Sequence, residues 1–203
     1  MTNPNKVRSY TDKELLERVK SLNNFTAIPE GFWILGVRSN EDTFDTYDDK
    51  FYIFKGEVFQ DVLTGTTNPG GKILKGGFLS FNKVGAAVLK SDMWHYDMWK
   101  PVYRSARGYE LRQYSNTYVY RDGNMNEKSE EIGEPIFGNY GINFHTNTFK
   151  YYNSVVNLVI GSWSAGCQVT NQRDHFLRWV KFFKTRYDEH KQNTVSYCLI
   201  NEF

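Results

Sequence analysis

Two residues able to share a proton and attack a carbonyl lie 22 positions apart in the last third of the chain, His145 and Cys167. The thiolate is the reactive form of cysteine, and a neighbouring imidazole takes its proton and balances the resulting charge. Cys167 follows Ser164-Ala165-Gly166, small residues that let a substrate carbonyl approach closely. In such a turn the backbone N–H groups of Ala165 and Gly166 suit an oxyanion. The separation is long enough for one strand to leave and another to return, which would set both side chains at one end of a sheet. Asn171, with Asp174 three positions on, predicts a helix start soon after the cysteine, where the helix dipole favours a thiolate. Ser164 is expected to hydrogen-bond His145 or to shape the turn.

The remaining chemistry-bearing residues carry weaker signals. Cys198 sits in the apolar run 194–200 and reads as a small buried hydrophobe. His95 belongs to the aromatic run Met93-Trp94-His95-Tyr96-Asp97-Met98-Trp99, read as a packed surface loop or the lining of a groove. His175 and His190 fall on the expected helix and are assigned to its solvent side. Four scattered histidines and two distant cysteines give no metal-ligand spacing, and neither a P-loop nor a dinucleotide fingerprint occurs, so no cofactor or metal is expected.

The elements that must position these residues are mostly strand-like. Thr11-Asp12-Lys13-Glu14 has the form of a capping box and predicts a helix over 12–22. Glycine-punctuated β-prone runs follow at 32–37, in a hairpin over 50–59, and at 85–89 and 117–120. Residues 64–71 and 121–134 read as loops. A strand is predicted over 141–145 with His145 near its end, an apolar β-branched segment over 155–160, a small-residue turn over 161–167, and a closing strand over 194–200. Between the last two, Phe176, Val180, Phe183 and Tyr187 share one helical face.

Bulk composition narrows the function classes. The chain has 203 residues, enough for one well-buried domain. Its 17% aromatic share, with 15 Phe and 14 Tyr, favours β structure. A net charge of +2 gives no electrostatic footprint for nucleic acid. The basic cluster 181–186 is interrupted by Phe182, Phe183 and Thr185 and reads as a solvated helix face. No apolar run is long enough for a membrane span, and residues 1–6 lack the core of a signal peptide. Synthesis in the cytoplasm is expected, with any action on a cell wall following release or delivery within a virion.

At Ile142-Asn143-Phe144-His145 and Gly161-Ser162-Trp163-Ser164-Ala165-Gly166-Cys167 the chain resembles the catalytic region of the L,D-transpeptidases, the YkuD-like domain. That family carries a strand-borne His, a Ser-x-Gly-Cys turn, a helix and a final strand, in the order found here over 140–200. The form Trp-Ser-Ala-Gly-Cys-Gln-Val is similar to that of a divergent phage and bacterial branch, whose Tyr-Arg-Asp segment is matched by Tyr120-Arg121-Asp122. Typical members have His where this chain has Ala165, and Arg where it has Val169. The resemblance implies a mainly β (α+β) fold, a YkuD-like β-sandwich or barrel with an N-terminal helix and a helix after the cysteine. It divides the chain into a helical extension, 1–30, and a catalytic domain, 31–203.

The same resemblance implies peptidoglycan stem peptides as substrate, Cys167 as nucleophile, and His145 as base, oriented by a main-chain carbonyl. Trp163, Gln168, Asn143, Tyr140 and Arg121 are the residues expected to contact substrate. The expected function is a cysteine-dependent peptide hydrolase of the wall, of the phage-lysin kind. The alternatives are a true L,D-transpeptidase, a virion structural or assembly protein keeping the fold, and a non-catalytic wall-binding module.

Overall fold

Thr11 opens the first helix, α1 (Asp12–Lys20), through the reciprocal bonds of a capping box. The Thr11 N–H donates to Glu14 Oε2 at 2.7 Å, and the Glu14 N–H to Thr11 Oγ1 at 3.3 Å. The helix ends at Lys20, two residues before the expected end, and Ser21 caps it, its hydroxyl donating to the Arg18 carbonyl. The computed structural model describes residues 9–41, 43–77, 79–104, 108–148, 157–190 and 192–203, the side chains of 186–190 apart.

The chain is mainly β. Eight strands close into a barrel: β1 (Phe32–Arg38), β2 (Asp49–Lys55), β3 (Val58–Thr66), β5 (Met93–Arg104), β6 (Gly108–Gln113), β9 (Phe144–Thr146), β10 (Gln168–Thr170) and β11 (Val195–Asn201). Around the barrel the order is β1-β11-β5-β6-β9-β10-β3-β2. Three more strands, β4 (Ala86–Leu89), β7 (Thr117–Asp122) and β8 (Ile136–Gly138), form a separate antiparallel sheet. The second helix, α2 (Arg173–His190), lies between β10 and β11 in sequence.

Both faces of the first barrel strands are covered, which explains their unbroken apolar sequence. All seven residues of β1 are buried. Phe32 and Ile34 join a core with Phe51, Trp99, Phe144 and Tyr197, whereas Trp33, Leu35 and Val37 meet Leu15 and Val19 of α1 on the other side. The N-terminal helix is therefore packed against the barrel. On α2, Phe176, Val180 and Phe183 are buried at the expected helical spacing, and the Phe176 ring stands 4.7 Å from that of Phe144. Lys181 and Lys184 face solvent, while Tyr187 lies outside the described side chains.

Several local expectations are corrected. The run Met93–Trp99 is the start of a twelve-residue core strand, with Trp94 and Trp99 buried, and not a surface loop. Residues 64–66 extend β3, and Arg121 and Asp122 end β7, so the adjoining loops are shorter than predicted. Of the expected segment 155–160, residues 155 and 156 lie outside the described residues. The remainder makes one isolated bridge, Thr46 to Val159, and leaves Leu158 and Val159 exposed. Arg38 ties the barrel to the small sheet: it donates to Thr67 Oγ1 at 2.9 Å and to the Leu89 carbonyl at 3.1 Å, and pairs with Glu131 at 2.6 Å.

Candidate active site

β9 and β10 are parallel neighbours, with His145 opposite Val169 and Phe144 opposite Gln168. The ladder continues one step back, where the Gln168 N–H donates to the Asn143 carbonyl at 2.8 Å. Alternation then sorts the side chains. Phe144 and Gln168 point into the barrel, where Gln168 Oε1 accepts from the Tyr197 hydroxyl at 2.8 Å. Val169 points outward into a small cluster with Tyr47 and Ile160, against which Cys167 and Trp163 pack. His145, paired with Val169, shares that outward side. One strand spacing across and two residues along separate the His145 and Cys167 backbones by roughly 8 Å.

His145 is buried, and its Nδ1 lies 2.8 Å from the carbonyl of Thr146. A carbonyl only accepts, so Nδ1 carries the proton and the neutral ring keeps its basic lone pair on Nε2. The Cys167 thiol is half-buried and donates to the Gly141 carbonyl at 3.4 Å. That carbonyl sits in a well-fixed segment. Gln113 Oε1 accepts from the N–H groups of Tyr140 at 3.1 Å and Ile142 at 2.7 Å, and the Trp99 indole donates to the Ile142 carbonyl at 2.8 Å.

The cysteine turn is held from three directions. Ser164 is fully buried; its hydroxyl donates to the Cys167 carbonyl at 2.8 Å and accepts from the Gly166 N–H at 3.2 Å. Its role is thus to shape the turn. Beneath it, the Ala87 N–H of β4 donates to the Ala165 carbonyl at 3.1 Å. Gly166 adopts φ +134°, and a Cβ there would stand 2.3 Å from the Ala87 carbonyl oxygen, so glycine is required. In front, Asp45 Oδ1 accepts from the N–H groups of Gly161 at 2.6 Å and Gly71 at 2.7 Å, and the Gly70 N–H donates to the Ser164 carbonyl at 2.9 Å.

Four expectations about the site change. The Gly166 N–H is engaged by Ser164 and does not face an oxyanion. Gln168 is wholly buried inside the barrel and is no substrate contact. Asn143 joins strands instead, its Oδ1 accepting from the Gln113 N–H at 2.9 Å. The helix starts close to where it was expected, α2 beginning at Arg173, but β10 stands between it and Cys167, and Asn171 Oδ1 accepts from Thr64 Oγ1 at 3.1 Å in place of capping it. Because a helix dipole acts only over its first turn, it contributes little at Cys167.

The other expected site residues remain near the turn. Trp163 packs against the same cluster as Cys167, and Tyr140 immediately precedes Gly141. Arg121 lies 4.8 Å above the Tyr140 ring; burial pulls its pKa down, with Tyr140 acting in the opposite sense. Tyr47 and Asp45 were missed because an isolated Tyr and Asp in a loop carry no motif. Tyr47 is buried in the same cluster, and burial pushes its phenol well above its ordinary pKa, a hydrogen bond with Asn147 opposing this.

The weaker candidates lie elsewhere. Burial pushes the Cys198 thiol well up. His95 is buried between Thr117 Oγ1 and the Lys90 carbonyl. His175 is half-buried and paired with Asp61, not solvent-facing, and the His190 side chain lies outside the described residues. Among the described residues no group of His, Cys, Asp and Glu could hold a metal, and no helix is long and apolar enough to cross a membrane. No family model, curated protein or solved structure matches the chain.

Proposed function

We propose that this chain is a cysteine-dependent hydrolase of peptidoglycan stem peptides, acting through a thioester acyl-enzyme. The observation that carries the reading is the parallel β9–β10 pair, with His145 and Cys167 on one outward side and Nδ1 committed to a carbonyl. The likeness of the His and Ser-x-Gly-Cys segments to the L,D-transpeptidases, the YkuD-like domain, supplies the substrate class.

In this reading His145 Nε2 takes the Cys167 proton, and the sulfur attacks the amide carbonyl carbon. The C–N bond breaks as the imidazolium returns the proton to the leaving amine, leaving a thioester. Water then attacks, His145 again takes a proton, and the C–S bond breaks to release a carboxylate and the thiol. The Thr146 carbonyl orients the ring in place of a carboxylate. Hydrolysis is favoured over transfer to an amine. Val169, where typical members carry Arg, is buried against Tyr47 and Ile160, and Ala165 offers no polar side chain to anchor a second peptide. Action on the wall would follow release from the cell or delivery within a virion.

The test is incubation with purified sacculi, followed by mass spectrometry of the muropeptides. Shortened stems or cleaved cross-links with the native protein, and none with Cys167→Ala or His145→Ala, are expected. Unchanged muropeptides with the native protein would remove the hydrolase reading. Exchange of a labelled D-amino acid in excess of hydrolysis would replace it with transpeptidation.

A further inference from the structure

Arg121 stands apart from other arginines of this chain. Arg18, Arg38, Arg104, Arg112 and Arg173 each lie beside a carboxylate. Arg121 has no such partner among the described residues. Its Nε is buried and makes no hydrogen bond, and its Nη1 reaches the Gly85 carbonyl only at 3.4 Å. A partly desolvated cation held this way is costly until an anion meets it.

Its position follows from the strand register. Arg121 of β7 is opposite Ala87 of β4, and directly opposed residues project to the same side of a sheet. Ala87, with Leu89 and Val119, faces the barrel core, and a Cβ on Gly166 would lie 2.9 Å from the Ala87 Cβ. Arg121 therefore emerges on the barrel side of the small sheet, beside the cysteine turn. A second path leads to the same place. The guanidinium stacks on Tyr140, and the next residue, Gly141, accepts the Cys167 thiol.

We propose that Arg121, braced on Tyr140, recognises a free carboxylate adjoining the scissile bond, so that the Cys167 centre prefers peptides whose leaving residue is C-terminal. This rests on the hydrolase reading and makes it exo-acting. A guanidinium fork matches a carboxylate with two parallel charge-assisted hydrogen bonds, which a C-terminal carboxamide does not reproduce. The Tyr140 face fixes the plane of the fork and shields it from water.

The experiment compares a stem tetrapeptide ending in D-alanine with the same peptide ending in a carboxamide. The native protein is expected to turn over the acid about 10- to 100-fold better, the range for a charge-assisted hydrogen bond. In Arg121→Gln that ratio should collapse toward one, and Arg121→Lys, which keeps charge but loses the fork, should fall between. Thermal melts establish that each variant is folded, and the Lys variant decides should the Gln variant not fold.

A second arm measures the affinity of both peptides for Cys167→Ala, with and without Arg121→Gln, and needs no turnover. Preference for the acid that depends on Arg121 supports the proposal even if the native protein hydrolyses neither peptide, in which case only the hydrolase reading falls. Equal affinities, no measurable affinity for the acid, or discrimination that survives Arg121→Gln overturns it.

Discussion

Replacing Gly166 with alanine should separate the cysteine turn from the sheet that supports it. At φ +134° an L-residue is strained by about 1–3 kcal/mol. The new Cβ would also stand 2.3 Å from the Ala87 carbonyl oxygen, 2.9 Å from the Ala87 Cβ and 3.1 Å from Ile142 Cδ1. Backbone oxygen yields little, so the overpacking adds about 1–3 kcal/mol. The expected loss is about 2–6 kcal/mol, or failure of the turn to dock, with the Ala87-to-Ala165 hydrogen bond broken. Gly161→Ala is the control. It too has positive φ, +61°, but a Cβ there meets nothing within 4 Å, so only the left-handed strain of about 1 kcal/mol remains. Urea unfolding of both variants, with the rate of Cys167 alkylation, reads the difference. Equal destabilisation by the two substitutions would refute the close contact between turn and sheet.

Three further outcomes are expected. His95 is held neutral in the fold, its pKa lowered to about 4 by burial. Its contribution is complete above the unfolded value near 6.5 and is lost as pH falls from there through 4, at a cost of about 3 kcal/mol. Urea midpoints for native protein and His95→Gln should diverge across that window, and parallel curves would contradict it. Ser164→Ala leaves the Gly166 N–H and Cys167 carbonyl without their shared partner and should cost about 1–3 kcal/mol by urea unfolding; no change would show that the turn holds without the hydroxyl. Cys198, fully buried, should react with iodoacetamide only as the protein unfolds, and labelling below the unfolding transition would contradict its placement.

The parts most legible in the sequence are those set by local patterns. The Thr11–Glu14 spacing marks the first helix, and the four-residue spacing of Phe176 and Val180 marks the buried face of α2. The period-two pattern of Met93–Trp99 is broken, and the adjacent Met98 and Trp99 both join the barrel core. Asp97, just before them, adopts φ +53°, with a register shift in the pairing to β11, while Trp94 packs under α1 on the other face. Asn171-x-x-Asp174 fits a capping pattern, but a long-range bond to Thr64 takes the Asn171 side chain. Arg121 looked like the start of a polar loop because sequence shows its charge and not its opposite number, Ala87. Gln168 looked like a polar residue at a reactive turn, whereas strand alternation sends it inward to Tyr197. The neighbouring strands carrying His145 and Cys167 were suggested by the length between them; their parallel register belongs to the tertiary fold.

The pairing of Cys167 with His145 is tested most directly by the pH dependence of Cys167 alkylation in native protein and in His145→Gln. Buried Cys198 serves as an unreactive internal reference. If the imidazole takes the thiol proton, the native rate rises at a pH well below the ordinary cysteine range, and His145→Gln moves that rise up toward about 8.5. Superimposed profiles for the two proteins would contradict the account.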